Sequence, residues 1–281
     1  METFHKGATA MAIKMITTDI DGTLLTNTKK ITTHTKKALQ MARQQGVYVV
    51  LCSGRPLVGM QEYLTELGFY RADDYAITFN GGQVQRVTET TPLFSKMLTT
   101  EDFVKLDQLS HQLGVRGQAV TPDGNIYVTT PDVSPVSVMD SYFTKMPLHV
   151  RENAQAAGVF DLAKYMWADE ASILTSAISK LPADIQESYY CVHSEEWFFE
   201  FMHPRATKGN TMLELAAKLG IKPAEVMAVG DQNNDLTMIK AAGLGVAMGN
   251  ANPLVKENAQ VVTADNEHEG LATAVEKYVL N

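Results

Sequence analysis

Cysteine is scarce in this chain, with 2 in 281 residues. Cys52 and Cys191 stand far apart, which excludes a disulfide framework and a thiol metal-ligand spacing. The pattern suits two reduced cysteines in strand-like stretches of a cytoplasmic protein. Long apolar runs are missing too. None reaches the roughly 18 residues that cross a bilayer, so no membrane span and no membrane partner are expected. The N-terminal "METFHKGATA" lacks an apolar h-region and does not read as a signal peptide. Residues 1–10 precede a second methionine, Met11, and are given no role. Positive charge is in deficit, with 24 Lys and Arg against 32 Asp and Glu, a net charge of -8 and a pI of about 5.4. Such a chain repels phosphate backbones, which excludes a general nucleic-acid binder. It still allows a small phosphorylated ligand, which needs only a local positive site. Internal repeats and low-complexity runs are absent. What remains is an ordinary globular composition, 45% hydrophobic and 20% charged, enough for one large or two modest domains.

Strand and helix patterns alternate at both ends. "IKMITTDI" reads as a strand. Thr33 is placed to cap a helix over 34–45, with Ala38, Leu39 and Ala42 at helical spacing and Gly46 past its end. "VYVVLC" is a continuous apolar run, as expected of a strand buried on both faces. "RPLVGMQEYLTELG" reads as a helix, and "YAITF" as a strand closed by Asn80, Gly81 and Gly82. The rhythm resumes from "KGNTMLELAAKLG" through "EVMAVG", "NNDLTMIKAAG" and "LGVAMG" to a closing helix "HEGLATAVEKYVL". This predicts an α/β fold, a doubly wound, Rossmann-like parallel sheet. The middle differs. "NIYVTT" follows the turn signal "TPDG" as a hairpin arm, "YYCVHS" and "WFFEFM" read as paired strands, and two helices are amphipathic. An α+β domain over 83–202 is therefore expected between core segments 1–82 and 203–281.

Four stretches carry potential chemistry, each at a strand's C-terminal end or a helix start. That edge of an open parallel sheet is where ligands bind. In "DIDGT", Asp19 and Asp21 are i and i+2, so both carboxylates can face one site. An Asx-rich turn with two solvated aspartates would look the same. In "CSGRP", Ser53 and the backbone of Gly54 could cradle a phosphate, or Ser53 could simply cap a helix. Lys208 opens a helix against the macrodipole, a local conflict typical of functional sites, although most lysines are merely exposed. "GDQNND" brings Asp231, Asn234 and Asp235, hard oxygen donors suited to Mg²⁺, or equally helix caps. Their joint occurrence at equivalent edges of one sheet favours a site over four separate accidents.

With these stretches the chain resembles the haloacid dehalogenase-like phosphohydrolase superfamily. "DIDGTLL" is similar to its first motif, Ser53 to its second, Lys208 to its third and "GDQNND" to its fourth. "SGRP", "FNGG", "KGN" and "GDQNNDLTMI" resemble the Cof-type branch, in which a large α/β cap is inserted between the second and third motifs. The resemblance implies a Mg²⁺-dependent phosphatase of small metabolites such as sugar phosphates, nucleotides or phosphorylated cofactors. It makes Asp19 the nucleophile and Asp21 the acid–base group, with a raised pKa for the acid step. Ser53, Gly54, Lys208 and Asn234 would hold the phosphate. Asp19, Asp231 and the main-chain carbonyl of Asp21 would bind metal, with Asp235 behind them. P-type ATPases carry threonine where Asp21 stands. Phosphomutases mostly insert a small helical cap after the first motif, for which there is no room here. A phosphomutase and a ligand-binding protein on the same fold are the alternatives. Arg55, Asn80, Gly81, Gly82, His203 and Arg205 are the expected substrate-side residues between core and cap.

Overall fold

The computed structural model describes residues 12–154, 156, 158 and 161–280. Residues 1–10, given no role above, lie outside them. The chain begins with alternating elements, β1 (Met15–Thr18), α1 (Thr33–Gln44), β2 (Tyr48–Cys52), α2 (Gln61–Leu67) and β3 (Tyr75–Thr78). Two strands turn back, β4 (Gln83–Arg86) and β5 (Phe94–Ser95). The middle holds β6 (Leu98–Thr99), α3 (Thr100–Leu113), β7 (Gly117–Val120), β8 (Ile126–Val128), α4 (Pro135–Thr144), β9 (Leu148–Val150), β10 (Asp161–Leu162) and β11 (Lys164–Ala168). It ends with α5 (Ala171–Ile178), α6 (Ala183–Ser188), β12 (Tyr190–Glu195) and β13 (Phe198–Met202). Alternation then resumes with α7 (Lys208–Lys218), β14 (Val226–Gly230), α8 (Leu236–Ala241), β15 (Leu244–Ala247), α9 (Pro253–Asn258), β16 (Val261–Val262) and α10 (Gly270–Val275).

The larger sheet runs β16-β15-β14-β1-β2-β3-β4-β5. Every neighbouring pair from β16 to β3 is parallel, and β4 and β5 are antiparallel additions at one edge. Its strands β14, β1, β2 and β3 are buried almost from end to end because both faces are covered. Ile16, Val49, Leu51, Met227 and Val229 pack on the side of α1 and α10. Their neighbours Met15, Val50, Cys52, Val226 and Ala228 pack on the side of α7 and α8. Burying one such side chain stabilises by about 1.5–3 kcal/mol, so alternate residues of each strand hold opposite helical layers. Strand order reverses at β1, between β14 and β2. The crevice this opens at the strands' C-terminal ends is the place for a ligand.

The second sheet, β12-β13-β11-β7-β8-β9, is antiparallel except for β8 and β9. One face packs Tyr165, Trp167, Phe199 and Phe201 against α3 and α5. The alternate residues Lys164, Met166, Glu200 and Met202 point the other way, and that face meets the larger sheet's ligand edge. The hairpin expected at 121–124 joins β7 to β8, where Thr121 N–H donates to Asn125 O at 2.9 Å.

Several local expectations shift. Thr32, not Thr33, caps α1, its hydroxyl accepting from Thr35 N–H at 3.1 Å. The helix expected from Arg55 begins as a 3₁₀ turn over Leu57–Met60, because Pro56 is extended (φ -67°, ψ 163°). Helix α4 was not anticipated. Strands β4 and β5 follow the expected boundary at 82/83 yet belong to the larger sheet, so we propose that the inserted domain begins near Met97. Antiparallel hairpin strands read alike wherever they dock, and only the pairing reveals their sheet.

Candidate active site

Strand β1 ends at Thr18, and Asp19 N–H still pairs with Val229 O at 3.0 Å. Asp19 thus stands at the lip between β1 and β14. The chain then turns through Gly22, at φ +79°, where an added Cβ would lie 2.6 Å from an Asp231 carboxylate oxygen. Only glycine allows that approach. Thr23 Oγ1 donates to Asp231 Oδ1 at 2.8 Å, locking the first motif to the fourth. From the start of α7, capped by Thr207, the fully buried Lys208 reaches Asp19 Oδ1 and Asp235 Oδ1, both at 2.6 Å. Asp235 Oδ2 accepts from the N–H groups of Asp231 (2.8 Å) and Gln232 (2.9 Å). Both Asp235 oxygens are thereby committed to protein donors. Asp19 Oδ2 has no protein donor among the described residues.

Carboxylate oxygens of Asp19, Asp231 and Asp235 lie within 4.8 Å of one another, all buried. Burial pushes the Asp19 carboxyl well above the ordinary range, against the pull of Lys208 and with the push of Asp235 and Asp231. Burial, then Asp235, raises Asp231 to about 6. One ammonium among three carboxylates leaves a negative excess among buried groups. That donor set fits a hard divalent cation held directly by Asp19 and Asp231, with Asp235 orienting its neighbours.

Asp21 is turned aside from this cluster. Its carboxylate takes Arg55 Nε at 2.9 Å, Arg55 Nη2 at 3.0 Å and Lys29 Nζ at 2.7 Å. The raised pKa expected for it is absent. Burial would raise it, but the hydrogen bonds and charges of Arg55, then Lys29, hold it below the ordinary value. Arg55, expected among the substrate-side residues, pairs with Asp21 and lies over the Tyr63 ring at 5.6 Å.

Ser53 ends β2, buried, its Oγ accepting from Arg55 N–H at 3.3 Å. Gly54 abuts the Asn80 amide, 3.2 Å from where a Cβ would sit. Asn80 is buried in a left-handed conformation (φ 55°) after β3, with its N–H on Ser53 O at 2.9 Å. Asn234 Nδ2 donates to Asn80 Oδ1 at 3.0 Å. Gly81, at φ +99°, has the Thr207 carbonyl oxygen 2.4 Å from an ideal Cβ position, and its own carbonyl accepts from Thr211 Oγ1 at 2.7 Å. Gly81 thus lets the loop pack on the start of α7, whereas a Cβ at Gly82 would meet Phe79 at 3.1 Å. His203 and Arg205 are not brought to the carboxylates. Arg205 N–H bonds His203 Nδ1 at 3.1 Å, and the exposed Arg205 guanidinium reaches Glu214 at 3.3 Å.

A family model for haloacid dehalogenase-like hydrolases matches residues 16–275. The chain belongs to that family. The "Putative phosphatase YxeH" of Bacillus subtilis (strain 168) is 40% identical over 268 residues, covering 95% of this chain and 98% of the relative. From the same organism, 5-amino-6-(5-phospho-D-ribitylamino)uracil phosphatase YcsE is 29% identical, covering 95% and 96%. A crystal structure of a haloacid dehalogenase-like hydrolase from Bacteroides thetaiotaomicron superposes with a TM-score of 0.83 at 28% identity, covering 94% of this chain and 99% of that one.

In this haloacid dehalogenase-like hydrolase the inserted domain supplies groups that the motifs do not reveal. Glu200 Oε2 accepts from Asn80 Nδ2 at 3.0 Å, while its Oε1 accepts from Lys164 Nζ at 3.1 Å and Ser194 Oγ at 2.7 Å. The Tyr190 hydroxyl, pushed up to about 12 by burial, has Lys208 and Asp235 in its field. The sequence did hold a signal for two of these. Lys164 and Glu200 are charges inside the apolar strands "AKYMWA" and "WFFEFM", on the face opposite the aromatic residues. The period of 2 alone points them away from the aromatic core.

Proposed function

We propose that this hydrolase is a Mg²⁺-dependent phosphatase of small phosphorylated metabolites that works through an aspartyl-phosphate on Asp19. One observation carries the reading. Asp19 has one oxygen clamped by a buried lysine and the other free of protein donors among the described residues, inside a buried cluster of three carboxylates at the sheet's ligand edge. Nothing structural requires so costly an arrangement. A nucleophilic carboxylate beside a cation site does. The phosphatase names of the relatives support the same class.

Mg²⁺, when bound, would neutralise the phosphoryl oxygens and lower the repulsion between two anions. The chain's own groups do the rest. An Asp19 oxygen attacks phosphorus, the bond to the leaving oxygen breaks, and its electron pair goes out with that oxygen. Lys208 holds Asp19 for in-line approach and shares the charge of the transferring group. Ser53, the backbone of Gly54 and the Asn234 amide are the donors for the phosphoryl oxygens. Asp21 protonates the departing alkoxide, then takes a proton from the water that attacks the aspartyl-phosphate, releasing inorganic phosphate and Asp19. Held ionised by Arg55 and Lys29, Asp21 stands ready for the second duty. For the first duty Asp21 must take up a proton from solvent, which an incoming phosphate anion favours by adding negative charge and competing for the same two cations. Release of inorganic phosphate from p-nitrophenyl phosphate with Mg²⁺, and its loss in EDTA, tests the class. Undiminished release in EDTA would remove the metal from the reading.

A further inference from the structure

A line of buried hydrogen bonds crosses from the inserted domain to the fourth motif, and its members can be ordered by what each can donate. Glu200, on β13, is ion-paired with Lys164 and also takes the Ser194 hydroxyl. A carboxylate only accepts. The side chain of Asn80 must therefore present its NH₂ to Glu200, at 3.0 Å, and its Oδ1 to the other side. Oδ1 only accepts, so Asn234 must present its own NH₂ there, at 3.0 Å. Turning the Asn234 amide over would set two acceptor oxygens face to face.

The orientation carries a visible penalty. Asn234 Oδ1 is buried and has no hydrogen-bond partner among the described residues. A buried amide oxygen without a donor is unfavourable, and a freely rotating Asn234 would not choose it. Asn80 enforces it. That residue is 1% exposed, holds a left-handed backbone and is tied to Ser53 O by its N–H, with Gly54 leaving room for its amide. It is a rigid joint among the second motif, the fourth motif and the inserted domain. One N–H of Asn234 is spent on Asn80, and the other is aimed by that bond.

We propose that Asn80 and Glu200 are positioning residues for Asn234, with the carboxylate of the inserted domain setting which way the Asn234 N–H points. This rests on the assignment of Asn234 to the phosphoryl oxygens. It makes the donor complete only when the inserted domain is seated on the larger sheet.

The test is an exchange of the carboxylate and the amide. N80D places two carboxylates against each other, and kcat for p-nitrophenyl phosphate should fall about tenfold or more, with KM changed less. The double variant N80D/E200Q restores a donor–acceptor match at that link and still leaves an acceptor for Asn234. It should recover most of the loss. A double variant as slow as N80D, with both melting cooperatively near the wild-type temperature, would overturn the proposal. A second readout does not depend on hydrolysis. In protein labelled with ¹⁵N-asparagine, the Asn234 side-chain amide pair, assigned by its loss in N234D, should be shifted and slow to exchange, and should move towards free-amide values in E200Q. If N80D does not fold, this measurement decides alone, and an Asn234 pair unmoved by E200Q overturns the proposal. An inactive wild-type enzyme would instead remove the phosphatase reading, while the amide signals still report on the relay.

Discussion

Asp19→Asn should abolish turnover with Mg²⁺ and, at once, make the metal-free protein more stable. The variant keeps an oxygen for Lys208 and removes one of three carboxylates. At an effective dielectric of about 20, repulsion from Asp231 and Asp235, whose oxygens lie within 4.8 Å, comes to at least about 7 kcal/mol. Attraction to Lys208 at 2.6 Å comes to about 6 kcal/mol. These nearly cancel, so the desolvation of a carboxylate that is 7% exposed is left uncompensated. The neutral amide removes that cost. A gain of about 0.5–2 kcal/mol is expected, the range for substitutions that relieve a strained functional site, and about 2–4 °C in Tm for each kcal/mol. Thermal unfolding of both proteins in EDTA measures it. Added Mg²⁺ should raise the wild-type Tm and move the variant less, because one of the two carboxylates that would hold the ion directly is gone. Phosphate release should fall to background. A variant that melts below wild type in EDTA, or that still turns over, would refute the reasoning.

Two further outcomes follow from the same geometry. Asp21→Asn removes the proton carrier and should lower kcat by about 10²–10⁴-fold while leaving the Tm shift with Mg²⁺ intact; loss of that shift would place the Asp21 side chain among the metal ligands. Gly81→Ala drives a Cβ to 2.4 Å from the Thr207 carbonyl oxygen at φ +99°. It should cost about 1–3 kcal/mol or more by chemical denaturation, and a neutral result would show that the loop can draw away from α7.

Particular residues show how far the sequence could be read. "VYVVLC" and "EVMAVG" announced strands buried on both faces, because a continuous apolar run of that length has few other homes. Three of the four chemistry-bearing stretches were legible because each interrupts such a run with polar groups at its end, and parallel alternation brings those ends to one edge; the fourth, at Lys208, opens α7. Thr32 rather than Thr33 as the cap, and the late start of α2 after Pro56, were out of reach because neighbouring candidates differ only in backbone angles. The state of Asp21 was misjudged for a different reason. Carboxylates in its own motif suggested a raised pKa, but the deciding charges come from Arg55 and Lys29. Lys29 is nearby in sequence, yet only the left-handed turn at its own position (φ 60°) brings it back to Asp21.

By itself the sequence determined the layered parallel core, the family resemblance and the edge at which Asp19, Ser53, Lys208 and Asp231 gather. Hydrophobic period and strand-end chemistry are local and survive in one dimension. Tertiary structure alone decided the partners: Lys208 between Asp19 and Asp235, Arg55 on Asp21, and Glu200 reaching Asn80 across two domains. Those pairings join residues far apart in the chain. Their energies depend on distance and burial, which no spacing along the sequence records.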